Sequence, residues 1–118
     1  MAENDLMERL FNFSVRTIKY LRTLPDSYEL KVIRYQLIKS ASSSGANYEE
    51  AQAGSSKADF TNKVRISLRE MRESNYWLRL IKSTIENIDS IDELRWLLNE
   101  STELKKILGS IVQKTSSK

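Results

Sequence analysis

The stretch Ser56 to Ile88, SKADFTNKVRISLREMRESNYWLRLIKSTIENI, constrains the fold of this chain more than any other. Its apolar residues Phe60, Val64, Leu68, Met71, Leu78, Ile81, Ile85 and Ile88 recur at steps of three, four or seven, which is the period of a helix and not of a strand. Neither Gly nor Pro interrupts it, so nothing in it forces a kink. A second stripe, Arg65, Arg69, Arg72, Tyr76 and Arg79, runs at steps of four, three, four and three along another side of the same helix. One face therefore wants a core, and another presents four guanidiniums around a tyrosine. A helix of about 33 residues is roughly 50 Å long and needs packing partners of similar length.

A chain of 118 residues suggests one domain. With 40% hydrophobic and 30% charged residues it can build a core, though not a thick one, and association with further copies would help long helices cover their apolar faces. Three glycines and one proline leave most of the length to helices joined by short connections. The absence of Cys and His excludes disulfides, thiol and histidine catalysis and every Cys/His metal site. No phosphate-binding glycine loop occurs, and no base of histidine type could activate the many serines, so the expectation is a protein that is not an enzyme and carries no cofactor. No apolar run approaches the length of a membrane span and no signal peptide precedes the first helix, which predicts a cytoplasmic protein without membrane contact. The net charge of +3 is concentrated: Gly54 to Ile88 holds seven Lys/Arg against four acids.

In chain order, Asn4 or Asp5 is placed to cap a first helix over about 5–24, whose inner stripe reads Met7, Leu10, Phe11, Ser14, Ile18 and Leu21. Phe13, Val15 and Tyr20 widen its apolar surface, either toward another subunit or toward further neighbours in one bundle. Leu24-Pro25 ends it. Asp26 opens D-S-Y-E, a capping-box pattern, and a second helix is predicted over 27–53 with Leu30, Ile33, Leu37, Ile38, Ala41 and Tyr48 inward. Its middle, SASSSGANYEEA, lacks large side chains for about two turns, which permits close approach of a neighbour and also weakens the helix around Gly45. One continuous or slightly kinked helix is the preferred reading, with a break as the alternative. Ser56 and Asp59 form a second capping box before the long helix, predicted over 57–88, and Ser90 and Glu93 form a third. The fourth helix, over 91–115, carries Ile91, Leu94, Leu97, Leu98, Ser101, Leu104, Leu108, Ile111 and Val112 at heptad-like spacing, with Gly109 placed to loosen its end. Short links between long helices predict an all-α, antiparallel up-down-up-down four-helix bundle.

The basic stripe is the first candidate site. Arginine grips phosphate bidentately, and Tyr76 could stack on an exposed base. Arg16, Lys19 and Lys39 are candidates to extend that field. The competing reading is a solvated face, with Arg69 neutralised by Glu70 or Glu73. Glu49, Glu50, Glu70 and Glu73 together suggest part of a carboxylate metal site, but such bundles use Glu-x-x-His, and polar links through Arg69, Arg72 or Asn47 are the simpler account. No metal is expected. Trp77, Trp96, Tyr48 and Tyr76 flank their apolar stripes, and with Phe13 and Tyr20 they point to self-association, or else to the edges of a bundle core.

The region Tyr35 to Leu80 resembles the bacterial four-helix-bundle family of 23S rRNA intervening-sequence proteins, once called S23 ribosomal proteins, which includes the accessory variability protein of diversity-generating retroelements. Gln36-Leu37, then Ala41 and Ser43, then Asn47, Tyr48 and Glu50 follow that family's first element. Ser56, Asp59 and Phe60 answer its S-x-x-E-F with Asp for Glu, and Ser67-Leu68-Arg69-Glu70 answers S-L-x-E, with Glu73 following. The chain departs where Ser44-Gly45 replaces the usual Ile-Pro and Glu49-Glu50-Ala51 replaces Ala-Glu-Gly. The resemblance implies a homopentameric barrel of four-helix protomers. Its accessory branch implies a positively charged surface that associates with a reverse transcriptase and nucleic acid. Asn47, Glu50, Glu70 and Glu73 then read as structural. The expected function is non-enzymatic binding of RNA or DNA through Arg65, Arg69, Arg72, Tyr76 and Arg79; the alternative is a structural or protein-interaction module in which those arginines pair with Glu70, Glu73 and Glu86.

Overall fold

Helix-period segments separated by cap and turn residues become four helices: α1 (Glu3–Leu21), α2 (Tyr28–Gln52), α3 (Lys57–Thr84) and α4 (Ile91–Ser116). The computed structural model describes residues 3–54, 56–85 and 91–116, and no strand occurs among them. The helices pack into a body 49 Å long. α2 and α4 each lie beside both α1 and α3, whereas α1 and α3 stand diagonally, with no Cα atoms within 8 Å of each other among the described residues.

The ends follow local chemistry. The Ser56 hydroxyl accepts from the Asp59 amide at 3.1 Å and starts α3, as its capping pattern predicts. α2 starts one residue later than the D-S-Y-E pattern suggests. Ser27, in extended conformation, accepts from the Leu30 amide at 3.2 Å, so Ser27 and not Asp26 is the cap. α1 already includes residues 4 and 5, so its start lies before both. It closes at Leu21, because Thr23 and Leu24 donate to the carbonyls of Tyr20 and Leu21, three residues back, and turn the chain before Pro25. The Arg34 guanidinium holds this turn by donating to the carbonyls of Leu21, Leu24 and Pro25. The third capping pattern at Ser90, the predicted apolar position Ile88 and the acid Glu86 lie outside the described residues.

On α3 the expected stripe is the core face. Val64, Leu68, Met71, Leu78 and Ile81 are buried, with Phe60 and Ile85 packed at its margins. α4 contributes Leu94, Leu97, Ser101, Leu104 and Leu108 to the same core. α1 is rotated from the sequence expectation. Leu6, Leu10, Phe13, Thr17, Tyr20 and Leu21 are buried while Phe11 faces solvent. Phe13 and Tyr20 are therefore core residues and not an outer face. Burial raises the Tyr20 phenol to about 12.

The serine-rich middle of α2 is continuous helix. Its small side chains let two neighbours approach. Toward α3, Ser44 Oγ donates to the Ser67 carbonyl at 2.8 Å, Ser67 Oγ donates to the Ser44 carbonyl at 2.7 Å, and the hydroxyls of Ser40 and Ser74 meet at 2.8 Å. Toward α1, Ser14 Oγ donates to the Ala41 carbonyl at 3.0 Å, and a Cβ on Gly45 would stand 3.6 Å from Leu10 Cβ. The pairings between α2 and α3 run in opposite chain order: 40 with 74, 44 with 67, and 50 with 63.

Candidate functional site

The pitch of α3 brings Arg65, Arg69, Arg72, Tyr76 and Arg79 to one side, opposite the core stripe, and all five side chains are exposed. Tyr76 retains 48% of its surface in solvent. Arg79 lies 5.7 Å from the centre of its ring, and the ring meets Trp77 edge-on at 5.2 Å. Arg65 donates to Asn62 Oδ1 at 3.3 Å, and Arg79 donates to Asn75 Oδ1 at 3.1 Å. Both acceptors are neutral amides. Among the described residues none of these four arginines has a carboxylate within 4 Å.

The adjacent acids are engaged elsewhere or stand apart. Glu73 accepts from the Trp77 indole N–H at 3.0 Å, and Glu50 takes the Lys63 ammonium at 2.9 Å. The hydrogen bond from Lys63 holds the Glu50 carboxyl below the ordinary carboxylate range. Neither Glu70 nor Glu73 comes within 4 Å of the Arg69 guanidinium. Asn47 does not bridge helices; its amide donates back to the Ser43 carbonyl and hydroxyl within α2. Glu49, Glu50, Glu70 and Glu73 form no cluster that could hold a metal among the described residues.

The field does not spread as the sequence suggests. Arg16 lies on α1, diagonal to α3, and forms a bidentate pair with Glu93 of α4 at 2.7 and 2.8 Å while its guanidinium stacks 3.5 Å from the Trp96 ring centre. That hydrogen-bonded pair raises Arg16 and lowers Glu93 from their ordinary ranges. Lys19 shares the remote helix α1, and Lys39 stands 6.0 Å over the Tyr35 ring on α2. The basic residue that does join the α3 face is Lys105 of α4, whose ammonium donates to Asn75 Oδ1 at 3.3 Å. No periodicity in the sequence marks it, because its place depends on the register between two helices.

A second exposed surface is apolar. Tyr28, Val32, Tyr35 and Ile38 follow one another along α2, with Tyr28 at 85% and Tyr35 at 64% exposure, and Phe11 of α1 is exposed as well. The aromatics flagged by the sequence divide differently. Tyr48 is buried, whereas Trp77 and Trp96 are half-buried against the core.

These features define the class, a four-helix all-α protein with one basic face on α3 and no described helix long and apolar enough to cross a membrane. Within that class the chain belongs to the 23S rRNA-intervening sequence protein family, whose model matches residues 2–110. It is similar to a crystal structure from Bacteroides thetaiotaomicron described as a protein with unknown function from the S23 ribosomal protein family. The two share 35% identity with a TM-score of 0.77, over 91% of this chain and 97% of that one. No curated protein matches the chain.

Proposed function

We propose that this chain is a non-enzymatic, cytoplasmic binding protein that holds RNA or DNA against the α3 face through Arg65, Arg69, Arg72, Tyr76 and Arg79. The observation that carries the reading is that four exposed guanidiniums share one helix face with no carboxylate within 4 Å among the described residues. Like charges one turn apart oppose helix formation by a few tenths of a kcal/mol per pair, about 0.2–0.5. A polyanion relieves that repulsion. Affinity comes mainly from phosphate contacts and falls with salt, and sequence preference is weak because no recognised reading element is present. Tyr76 offers a ring for stacking. A reverse transcriptase is the protein partner proposed with this nucleic acid.

The protomer is proposed to be an antiparallel up-down-up-down bundle, in keeping with the opposed order of the α2–α3 pairings. Copies are proposed to assemble as a homopentamer, with the exposed α2 face of Tyr28, Val32, Tyr35 and Ile38 supporting self-association. The alternative, a structural or protein-interaction module without a nucleic-acid role, pairs the stripe arginines with Glu70, Glu73 and Glu86; within the protomer neither Glu70 nor Glu73 stands within 4 Å of them, and Glu86 lies outside the described residues. Electrophoretic retention of short RNA and DNA at about 0.1 M salt is the test. Retention at micromolar protein supports the proposal, and its absence removes it.

A further inference from the structure

We infer that Asn75, Arg79 and Lys105 form a phosphate-binding site in the groove between α3 and α4. Asn75 is only 3% exposed, and its amide orientation is fixed from both ends. Its Nδ2 donates to Ser101 Oγ at 2.8 Å, while its Oδ1 accepts from Arg79 Nε at 3.1 Å and from Lys105 Nζ at 3.3 Å. The opposite orientation would aim an NH2 group at two cations that have no acceptor to offer it. Two positive groups from different helices thus converge on one neutral oxygen. That oxygen satisfies the direction of their N–H groups and leaves their charge uncompensated.

The reason no acid does this lies on the other side of α4. Arg16 and Arg9 of α1 draw Glu93 and Glu100 to the α1–α4 seam, and Glu103 stands 3.7 Å from Arg9 as well. The α3-facing side of α4 is left to Lys105. One turn further along the same side is Gly109, where an added Cβ would meet nothing within 4 Å, so the groove below Lys105 is open. The Arg79 guanidinium uses only Nε on Asn75, which leaves its two NH2 groups for a phosphate oxygen. Lys105 has further donors beyond the one directed at Asn75. The Tyr76 ring beside Arg79 lies within reach of a base attached to that phosphate. The ligand chemistry is therefore a phosphate group, supplied by a nucleic-acid strand. That source rests on the reading of the α3 face above, whereas the site itself does not.

The test has two arms. In the first, the Asn75 side-chain amide resonance is followed while sodium phosphate is added, against sodium chloride at matched ionic strength. The expected result is a shift specific to phosphate that Lys105→Gln abolishes. In the second, binding of a short single-stranded RNA is measured over a range of salt. Lys105→Gln should flatten the log–log salt slope by about 0.7, the value for one phosphate contact on a single strand, while Lys31→Gln on α2 should leave it unchanged. Gly109→Glu, which adds a carboxylate into open space without crowding the helix, should weaken RNA binding by roughly tenfold, as the insertion of a like charge for the ligand into the groove. Identical effects of phosphate and chloride at Asn75, with an unaltered slope in Lys105→Gln, would overturn the site and leave the α3 face standing. If the wild-type protein binds no RNA, the nucleic-acid reading falls. The phosphate arm then decides alone: a specific shift upholds the site for free phosphate, and no shift overturns it.

Discussion

Gly45 is the residue where the small-side-chain stretch of α2 has room to spare. A Cβ there would stand 3.6 Å from Leu10 Cβ and 3.7 Å from the Leu10 carbonyl, which is ordinary van der Waals contact. Glycine inside a helix costs about 0.5–1 kcal/mol relative to alanine. Gly45→Ala is therefore expected to stabilise the protein by about that amount in urea unfolding; destabilisation would mean that α1 and α2 tolerate no added atom. Glu93 sets an acid limit. Hydrogen bonding from Arg16 lowers its carboxyl below the ordinary value of 4.5. Its contribution is therefore complete above about pH 4.5 and is lost as pH falls through the lower folded value. Glu93→Gln should remove that part of the acid sensitivity, read as a smaller drop in Tm between pH 7 and pH 3 than in the wild type. At this scale the sequence is ambiguous where apolar residues crowd. α1 holds Leu6, Met7, Leu10, Phe11, Phe13, Val15, Ile18, Tyr20 and Leu21, enough for two overlapping stripes. Packing between α2 and α4, diagonal to α3, buries the one through Phe13 and Tyr20 and leaves Phe11 outside.

At the scale of the element, α3 is the most legible part of the chain. Its two stripes are offset and free of breakers, so the buried Val64, Met71 and Leu78 and the exposed Arg65, Arg69 and Arg72 can be separated by period alone. α2 is less so. The inward serines Ser40 and Ser44 resemble a weak point in sequence, yet they form a seam in which Ser44 and Ser67 exchange hydroxyl-to-carbonyl bonds and the Ser40 hydroxyl meets that of Ser74. Its outer face is legible only once the inner one is known, since Tyr28, Val32, Tyr35 and Ile38 lie among residues that could equally have faced the core. If this face joins copies, Tyr28→Lys with Tyr35→Lys should reduce the mass measured by light scattering from an oligomer to a monomer. A wild-type monomer, or a double variant of unchanged mass, would assign those aromatics no part in assembly.

Across the whole molecule, charge is sorted by the diagonal arrangement of the helices. The α1–α4 seam binds arginine to glutamate, as in Arg9–Glu100 and Arg16–Glu93, and Lys63 of α3 takes Glu50 of α2, while the four stripe arginines of α3 and Lys105 of α4 have no carboxylate within 4 Å among the described residues. Composition conveys only a net +3 and its concentration in the long helix. Which basic residues cancel and which persist depends on contacts between elements distant in sequence, so Arg16 was a misleading candidate and Lys105 an invisible one. The central claim is that this carboxylate-free face binds nucleic acid through phosphate contacts. The most direct measurement is the affinity of a short single-stranded RNA across salt concentrations, by fluorescence anisotropy, for the wild type and for Arg69→Gln with Arg72→Gln. The account predicts binding at micromolar protein near 0.1 M salt and a log–log slope that the double variant flattens by about 1.4, from two lost contacts at about 0.7 each. No binding by the wild type, or an identical slope in the variant, would contradict it.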